Sequence, residues 1–476
     1  MIHLALFLPL LGGLILLVWP QLGRGWALGV ALLTFLLILA LAITYPGGMA
    51  DQTQIPLLPG AGVNYAVGLD GAGLFLWFAV GLVSLLGIWI AQVPPRFLAL
   101  ALCMETGLLG IFAATDLVLF YLFFEATLIP SLFMLGLYGG AERVRALLTF
   151  ALFTLAGSLP MLASILALRF LSGSPSFLLS DLAQHPLGGV AGTWVFLGFL
   201  LAMAVKTPLV PLHPWLPLFH AENHPSGLAD AMGTLYKVGI FGLFRWVLPL
   251  LPGPFMAFRG FLLFLAALTA LYGAWVAFAA KDWKRLWAYG SLSHMGLAAL
   301  GLFSGTEIGA VGAIFLLGAS MIYTGGLFLF SGRLAERTGT LEIGGVRGLA
   351  RSMPALAALG LILTMAMIGL PGLSGFPGEF MSLLGAYQAS PWWTFVGFLS
   401  VIAAAAYALT AYQKVFQEKT LSLPAGLRLL DLSGQEWVFG ALLVVAVLLL
   451  GLYPKLFTEL LDPVARSFVH LIQGGL

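Results

Sequence analysis

The chain has 476 residues, of which 61% are hydrophobic and only 8% are Asp, Glu, Lys or Arg. A soluble globular protein carries about 25% charged residues, so this chain lacks the polar side chains needed to cover a water-facing surface. A soluble enzyme, a disordered chain and a nucleic-acid binder are thereby excluded, and a net charge of +2 is too small to serve as a phosphate-binding field. The single cysteine, Cys103, lies in an apolar run and rules out disulfides, a Cys-ligated iron–sulfur cluster and a zinc ribbon.

A spanning helix takes about 20 apolar residues. Hydropathy places fourteen spans near 2–19, 26–45, 72–92, 97–114, 116–137, 146–170, 192–216, 228–250, 256–280, 286–303, 307–330, 354–388, 393–416 and 437–458. No basic stretch precedes the first apolar run, so it reads as a retained helix and not a cleaved signal. The fold class expected is an all-α polytopic membrane protein. Spans 7 and 12 are interrupted: Pro208, Pro211 and Pro214 fall in the first, and Gly369-Leu-Pro-Gly-Leu-Ser-Gly-Phe-Pro-Gly378 in the second. Proline removes a helix donor and clashes with the preceding turn. Inside a membrane such breaks persist only where protein or a water-lined cavity satisfies the freed backbone.

The two breaks lie five spans apart, and an odd offset inverts the orientation of the second unit. The chain therefore divides into 1–96 (spans 1–3), 97–250 (a first five-helix unit), 251–417 (a second, inverted unit) and 418–476 (span 14 and a tail). Coincidence is the bland alternative, because Gly and Pro are common in membrane helices. Lys and Arg concentrate in the loops from odd to even spans, from Arg24 and Arg96 through Lys281, Lys284 and Arg285 to Lys419 and Arg428. Those loops are expected to be cytoplasmic, with both termini outside. In the tail, Val464, Phe468, Leu471 and Ile472 share one helical face and fit an interfacial helix.

Ionisable residues inside the spans are costly in hydrocarbon and mark functional positions. At about 1.5 Å per residue, Glu125 in span 5, Lys206 in span 7, Lys237 in span 8 and His294 in span 10 all fall near the centre of the bilayer. Glu379 follows the break in span 12 and lies close to the start of a half-helix. Together they form a lateral row. A carboxylate close to a buried lysine holds it protonated, and separation lets the proton go; Lys suits this role where Arg would stay charged. Glu125 and Lys206 are the expected pair, with Lys237 and His294 as relay. The competing readings are a static ion pair that fixes packing and a hydrogen-bonded core histidine. Glu105 and Asp116 are expected near the outer ends of spans 4 and 5, Asp116 as a helix start.

The loop from His213 to His224 holds His213, His220, Glu222 and His224. It lacks a recognisable metal-ligand spacing, and proton uptake from the cytoplasm or a capped re-entrant loop fits it better. The run Lys281-Asp-Trp-Lys-Arg-Leu286 reads as an orientation signal in contact with lipid headgroups.

The stretches Phe120–Pro130, Val205–Pro217, Leu235–Gly239, Lys284–Gly296 and Gly369–Phe380 resemble the antiporter-like membrane subunits of respiratory complex I, over about residues 100–415. The resemblance implies that Glu125 and Lys206 are the proton-switching pair and that Lys237, His294 and Glu379 continue the path. A glutamate at position 379 resembles the chain 4 (M) type, where chains 2 and 5 and antiporter relatives carry lysine. Leu218 and Asn223-His224 depart from the pattern of that family and put the details of proton uptake in doubt. The implied role is proton translocation from cytoplasm to outside in the bacterial inner membrane, driven by quinone reduction in other subunits. This chain would carry no cofactor; partner subunits would hold FMN and iron–sulfur clusters, and quinone would bind elsewhere. Its partners would be other complex I membrane subunits, lipid and protons, with no nucleic acid. The alternatives are a subunit of a multi-chain Na⁺/H⁺ antiporter, a quinone- or haem-binding anchor with His213 and His294 as the only axial pair, and a pure scaffold.

Overall fold

A computed structural model describes residues 1–232, 237–419 and 429–474. Arg428 of the basic loops, and Leu235 and Tyr236 of the Leu235–Gly239 stretch, lie outside the described residues. Two helices open the chain, α1 (Ile2–Val18) and α2 (Gly23–Ile43). A hairpin of β1 (Ala50–Leu58) and β2 (Val63–Leu69) follows, antiparallel with Ile55 opposite Tyr65. Then come α3 (Gly71–Ile90), α4 (Pro95–Ala113), α5 (Leu117–Ala126), α6 (Leu128–Tyr138), α7 (Arg143–Ser172) and α8 (Leu179–Gln184). The seventh span is α9 (Gly189–Lys206) and α10 (Trp215–Glu222). The eighth is α11 (Leu228–Ala231), α12 (Val238–Gly242), a π turn over Leu243–Val247 and α13 (Leu248–Leu250). Next are α14 (Pro252–Ala277), α15 (Trp283–Phe303) and α16 (Glu307–Thr338). The chain ends with α17 (Pro354–Met367), α18 (Gly375–Ala389), α19 (Pro391–Tyr412), α20 (Gly434–Leu452) and α21 (Lys455–Gly474).

Among the described residues the expected spans fall on helices, and ten helical stretches, counting α5 with α6 as one, are long and apolar enough to cross a membrane. The core is α16. It is apolar on every face and buried along its length, packed among α3, α15, α18 and α21. A helix apolar all round is stable only in such a position. Helix starts are fixed by side-chain caps: Asp70 accepts from the Gly73 N–H, Asp116 from Val118 and Leu119, and Asp282 from Arg285.

Four features depart from the expectations. The β-hairpin interrupts an otherwise helical chain; β2 is buried against the helix ends, where Asp116 also accepts the Asn64 N–H. Span 5 is not continuous: it breaks at Thr127, just past Glu125, where Pro130 leaves the Ala126 carbonyl without its helical donor. Span 8 is irregular, and Lys237 caps the short α12 instead of lying within a regular helix. Glu105 lies in the middle of α4 and not near its end, fully buried, with neither carboxylate oxygen hydrogen-bonded. The tail is an amphipathic helix, but its inward face is Leu461, Ala465, Phe468 and Ile472, packed against α16 and α3, while Val464 and Leu471 of the expected face are only partly buried.

Candidate functional site

The break in span 7 follows directly from its prolines. Helix α9 ends at Lys206, and the carbonyls of its last turn need new donors. The Trp215 indole N–H returns to the Val205 carbonyl at 2.9 Å, and the Leu209 N–H reaches Ala204 O at 2.9 Å. The Val210 N–H finds the Thr269 hydroxyl of α14 at 3.0 Å. Protein groups therefore satisfy the break, as burial in an apolar medium demands. This leaves the Lys206 side chain buried at the carbonyl end of a half-helix, where the helix dipole favours a cation. Among the described residues its Nζ donates to no protein acceptor; it lies over the Phe124 ring at 4.7 Å and the Phe150 ring at 5.8 Å. Aromatic faces attract an ammonium through their quadrupole.

Glu125 precedes the kink at Thr127 and is only half-buried, with one carboxylate oxygen unpartnered. It does not form an ion pair with Lys206 within 4.0 Å, although its charge acts on the lysine. The two are neighbours held apart, not a closed pair. On the same side of the molecule Leu122, Ile129 and Phe133 are exposed.

Beyond the break, α12 comes so close that a Cβ on Gly239 would lie 2.2 Å from the Thr207 hydroxyl. Lys237, two residues earlier and buried, acts through its charge on both His220 and His294. His294 sits inside α15. Its Nδ1 is 2.8 Å from the Tyr323 hydroxyl of α16, and its Nε2 is 3.6 Å from Oε1 of Glu379. Glu379 is buried near the N-terminus of α18. Because Cβ atoms tilt toward a helix N-terminus, its carboxylate reaches back to the break. A Cβ on Gly369, whose φ is +72°, would lie 2.3 Å from Glu379 Oε2. Lys206, Lys237, His294 and Glu379 are thus all buried, His294 and Glu379 face each other at 3.6 Å, and Glu125 is only half-buried.

Two residues that matter were not singled out from sequence. Asp230 in α11 is fully buried and is the centre of a charge cluster. It takes His220 Nδ1 at 2.9 Å, the Asn223 amide at 3.0 Å and Lys284 Nζ at 2.8 Å. Lys284 also donates to the carbonyls of Asn223 and His224 at 2.8 and 2.9 Å. Lys284 is therefore not a headgroup contact; it is a buried ion-pair partner that closes the loop between spans 7 and 8 onto span 10. Tyr323 is the other, and the signal for it is a single tyrosine in the interior of the long apolar helix α16. At the far end of span 8, Arg245 pairs with Asp70 at 2.6 Å.

The histidines of the loop serve different partners. His213 packs edge-on against Tyr272 at 4.8 Å, His220 binds Asp230, and His224 accepts the Ser226 N–H. Burial, with Lys284 alongside, holds the His224 imidazole below its ordinary range. The Glu222 carboxylate accepts the Glu142 N–H at 2.9 Å and ties this loop to the start of α7. Among the described residues no group of three or more His, Cys, Asp or Glu is arranged to hold a metal. His213 and His294 pack on different residues, Tyr272 and Tyr323, and the structure does not place them as an axial pair.

Comparison with known proteins bears directly on this arrangement. Residues 114–404, which include both breaks and every residue of the row, match the family described as "NADH:quinone oxidoreductase/Mrp antiporter, TM". NADH-quinone oxidoreductase subunit 13 of Thermus thermophilus is 62% identical over all of both chains. Subunit M of the Rhodobacter capsulatus enzyme is 36% identical, covering 98% of this chain and 95% of its own. A chain in the structure of respiratory complex I from Thermus thermophilus with bound NADH superposes with a TM-score of 0.96 at 61% identity, covering 99% of this chain and 100% of that one. The chain belongs to the antiporter-like M-type membrane subunits of NADH–quinone oxidoreductase.

Proposed function

We propose that this subunit carries protons across the bacterial inner membrane along the buried succession Glu125, Lys206, Lys237, His294 and Glu379. The residues of 97–250 and 251–417 act as two inverted units, and the basic loops face the cytoplasm with both termini outside. As a member of its family the chain is a membrane subunit of a proton-pumping oxidoreductase and does no redox chemistry itself. Electron transfer, with flavin, iron–sulfur clusters and quinone, belongs to other subunits.

The observation that carries this reading is the contact between His294 and Glu379 beside a broken helix, with the Lys237 charge acting on the same imidazole. Three titratable groups from three spans meet where a structural protein would place apolar side chains. Lys206 is positioned to release its proton, because it has no hydrogen-bonded counter-ion and Glu125 stands outside pairing distance. Movement of Glu125 toward Lys206, transmitted from a neighbouring subunit through the exposed side chains of α5 and α6 that flank the buried kink, would load the lysine. Retreat would send the proton on toward Lys237, His294 and Glu379, which then releases it to the outside.

The test is Lys206→Ala in the assembled enzyme reconstituted in vesicles. Proton uptake per electron should collapse and coupled quinone reduction should slow. Normal proton-to-electron stoichiometry would sink the assignment. Sodium efflux without redox turnover would instead favour a Na⁺/H⁺ antiporter.

A further inference from the structure

The end of the molecule that carries Lys284 also carries a cavity of about 330 Å³ that the proton path does not use. The Trp283 N–H bonds to the Leu341 carbonyl, which fixes the C-terminal end of α16 on that same face. The cavity is lined by Arg24 at the start of α2, Arg333 and Arg337 at the end of α16, Glu336, Glu436 at the start of α20, and Gln92 beyond α3. Three guanidinium groups against two carboxylates leave an excess positive charge.

The carboxylates are not evenly shared. Glu436 is taken by Arg337, at 2.7 and 2.8 Å to its two oxygens. Arg333 touches Glu336 at the rim and stands 3.9 Å from Glu436. Its side chain is 6% exposed, yet its Nε is buried without a hydrogen-bond partner. Arg24 donates its Nε to the Ile88 carbonyl at 3.2 Å and has no carboxylate within 4.0 Å among the described residues. The charges of Arg24 and Arg337 both act on Arg333. Like charges gathered at low dielectric, one with an unused donor, repel one another until an anion joins them.

The cavity opens beside two helices that turn apolar side chains away from the protein. Helices α2 and α20 both pack on α3, and both expose apolar side chains outward: Leu32, Leu33 and Leu36 on one, and Val438, Leu442 and Val445 on the other. A ligand with an anionic head at the arginines would have hydrocarbon on either side of its tails.

We infer that this arginine cavity is a binding site for the phosphate headgroup of an anionic phospholipid. Guanidinium forks match phosphate oxygens, and basic pockets between spanning helices are where such headgroups lodge. The site lies on the face with the basic loops, apart from the buried row, so the inference stands whether or not that row moves protons.

The experiment is native mass spectrometry of the full chain released from detergent, titrated with dioleoylphosphatidylglycerol and, separately, with dioleoylphosphatidylcholine. The wild type should retain the anionic lipid in preference to the zwitterionic one. Arg24→Gln should weaken that retention about fivefold, the effect of one basic residue near such a headgroup. Arg24→Lys should restore most of it. Glu336→Gln, at the rim, removes a competing negative charge and should strengthen retention. Equal retention of both lipids would overturn the inference, as would no change in either Arg24→Gln or Glu336→Gln. Displacement of the lipid by millimolar inorganic phosphate would reassign the cavity to free phosphate.

Discussion

The two broken spans solve the same problem with opposite chemistry. In the first, α9 ends at a lysine, so a cation sits at the carbonyl end of a half-helix. In the second, α18 begins just ahead of a glutamate, so a carboxylate sits at the amide end. Lys206 is held by aromatic faces with its carboxylate partner at a distance, whereas Glu379 is already against a histidine. At the second break the imidazole and carboxylate face each other at 3.6 Å, beyond hydrogen-bond distance. In the proposed path this difference would set a direction: the group farthest from its counter-ion would gain or lose a proton most readily when its neighbour moves.

The two breaks are also secured differently. A buried charge cluster, Asp230 with His220, Asn223 and Lys284, clamps the loop after the first. The second has glycines at φ +72° and +93°, and the helix that leads into it, α17, is capped at its far end by Asp431 of a distant loop. The largest stability effect should therefore come from the first. Asp230→Ala leaves the Lys284 ammonium buried without its counter-ion, a loss of about 3–5 kcal/mol. Measured as the unfolding midpoint of the full chain, the variant should fall far below wild type. Replacing both residues, as Asp230→Asn with Lys284→Met, should recover most of the difference. If the single and double variants are equally unstable, the cluster is not a clamp.

At the second break the expected effect is smaller and local. Gly369→Ala would put a Cβ 2.3 Å from Glu379 Oε2 in a left-handed backbone that L-residues avoid. Strain of this kind costs about 1–3 kcal/mol. The carboxylate would have to leave its place beside His294, so proton pumping should fall while the chain still assembles. Pumping at the wild-type rate in a folded Gly369→Ala chain would show that the position of Glu379 against the break is irrelevant.

Hydropathy carries the spans, because about 20 apolar residues leave few alternatives to a spanning helix. The breaks are equally legible, because Pro208, Pro211 and Pro214 or the glycines from Gly369 onward leave the backbone no helical option. Depth along each helix follows from counting residues, and so the midplane row is visible in one dimension. Lateral position is not. Nothing in the residues around Glu125 places it half-exposed at the edge of the molecule, or Lys206 outside pairing distance from it. Lys284 shows the same limit: a basic residue beside Lys281 and Arg285 has the composition of a surface corner, and only its approach to Asp230 on another span makes it buried. The hairpin escapes because a single pair of short strands joined by Pro59-Gly60-Ala61-Gly62, between two long apolar runs, has no helical or repeating pattern to mark it.

The smallest effect tests the cap on the second broken span, and its pH dependence separates it from the clamp on the first. Asp431 accepts the N–H groups of Ala355 and Leu356, at 2.9 and 3.0 Å, and of Leu432 at 2.9 Å. Partial burial alone would raise its carboxyl, but these donors, with Arg337 nearby, hold it below the usual carboxylate range. A folded-state value below the unfolded one means stability that is full above the unfolded pKa and lost as pH falls through the folded one. Asp431→Ala should therefore lower stability by about 1 kcal/mol at neutral pH, the ordinary worth of a helix cap. The gap from wild type should narrow once pH drops below about 3.9, the unfolded value for Asp. Unfolding midpoints of both chains across that range decide it. A gap that stays constant with pH would mean Asp431 acts by packing alone, and the second break would then lack the charge-dependent fastening that Asp230 gives the first.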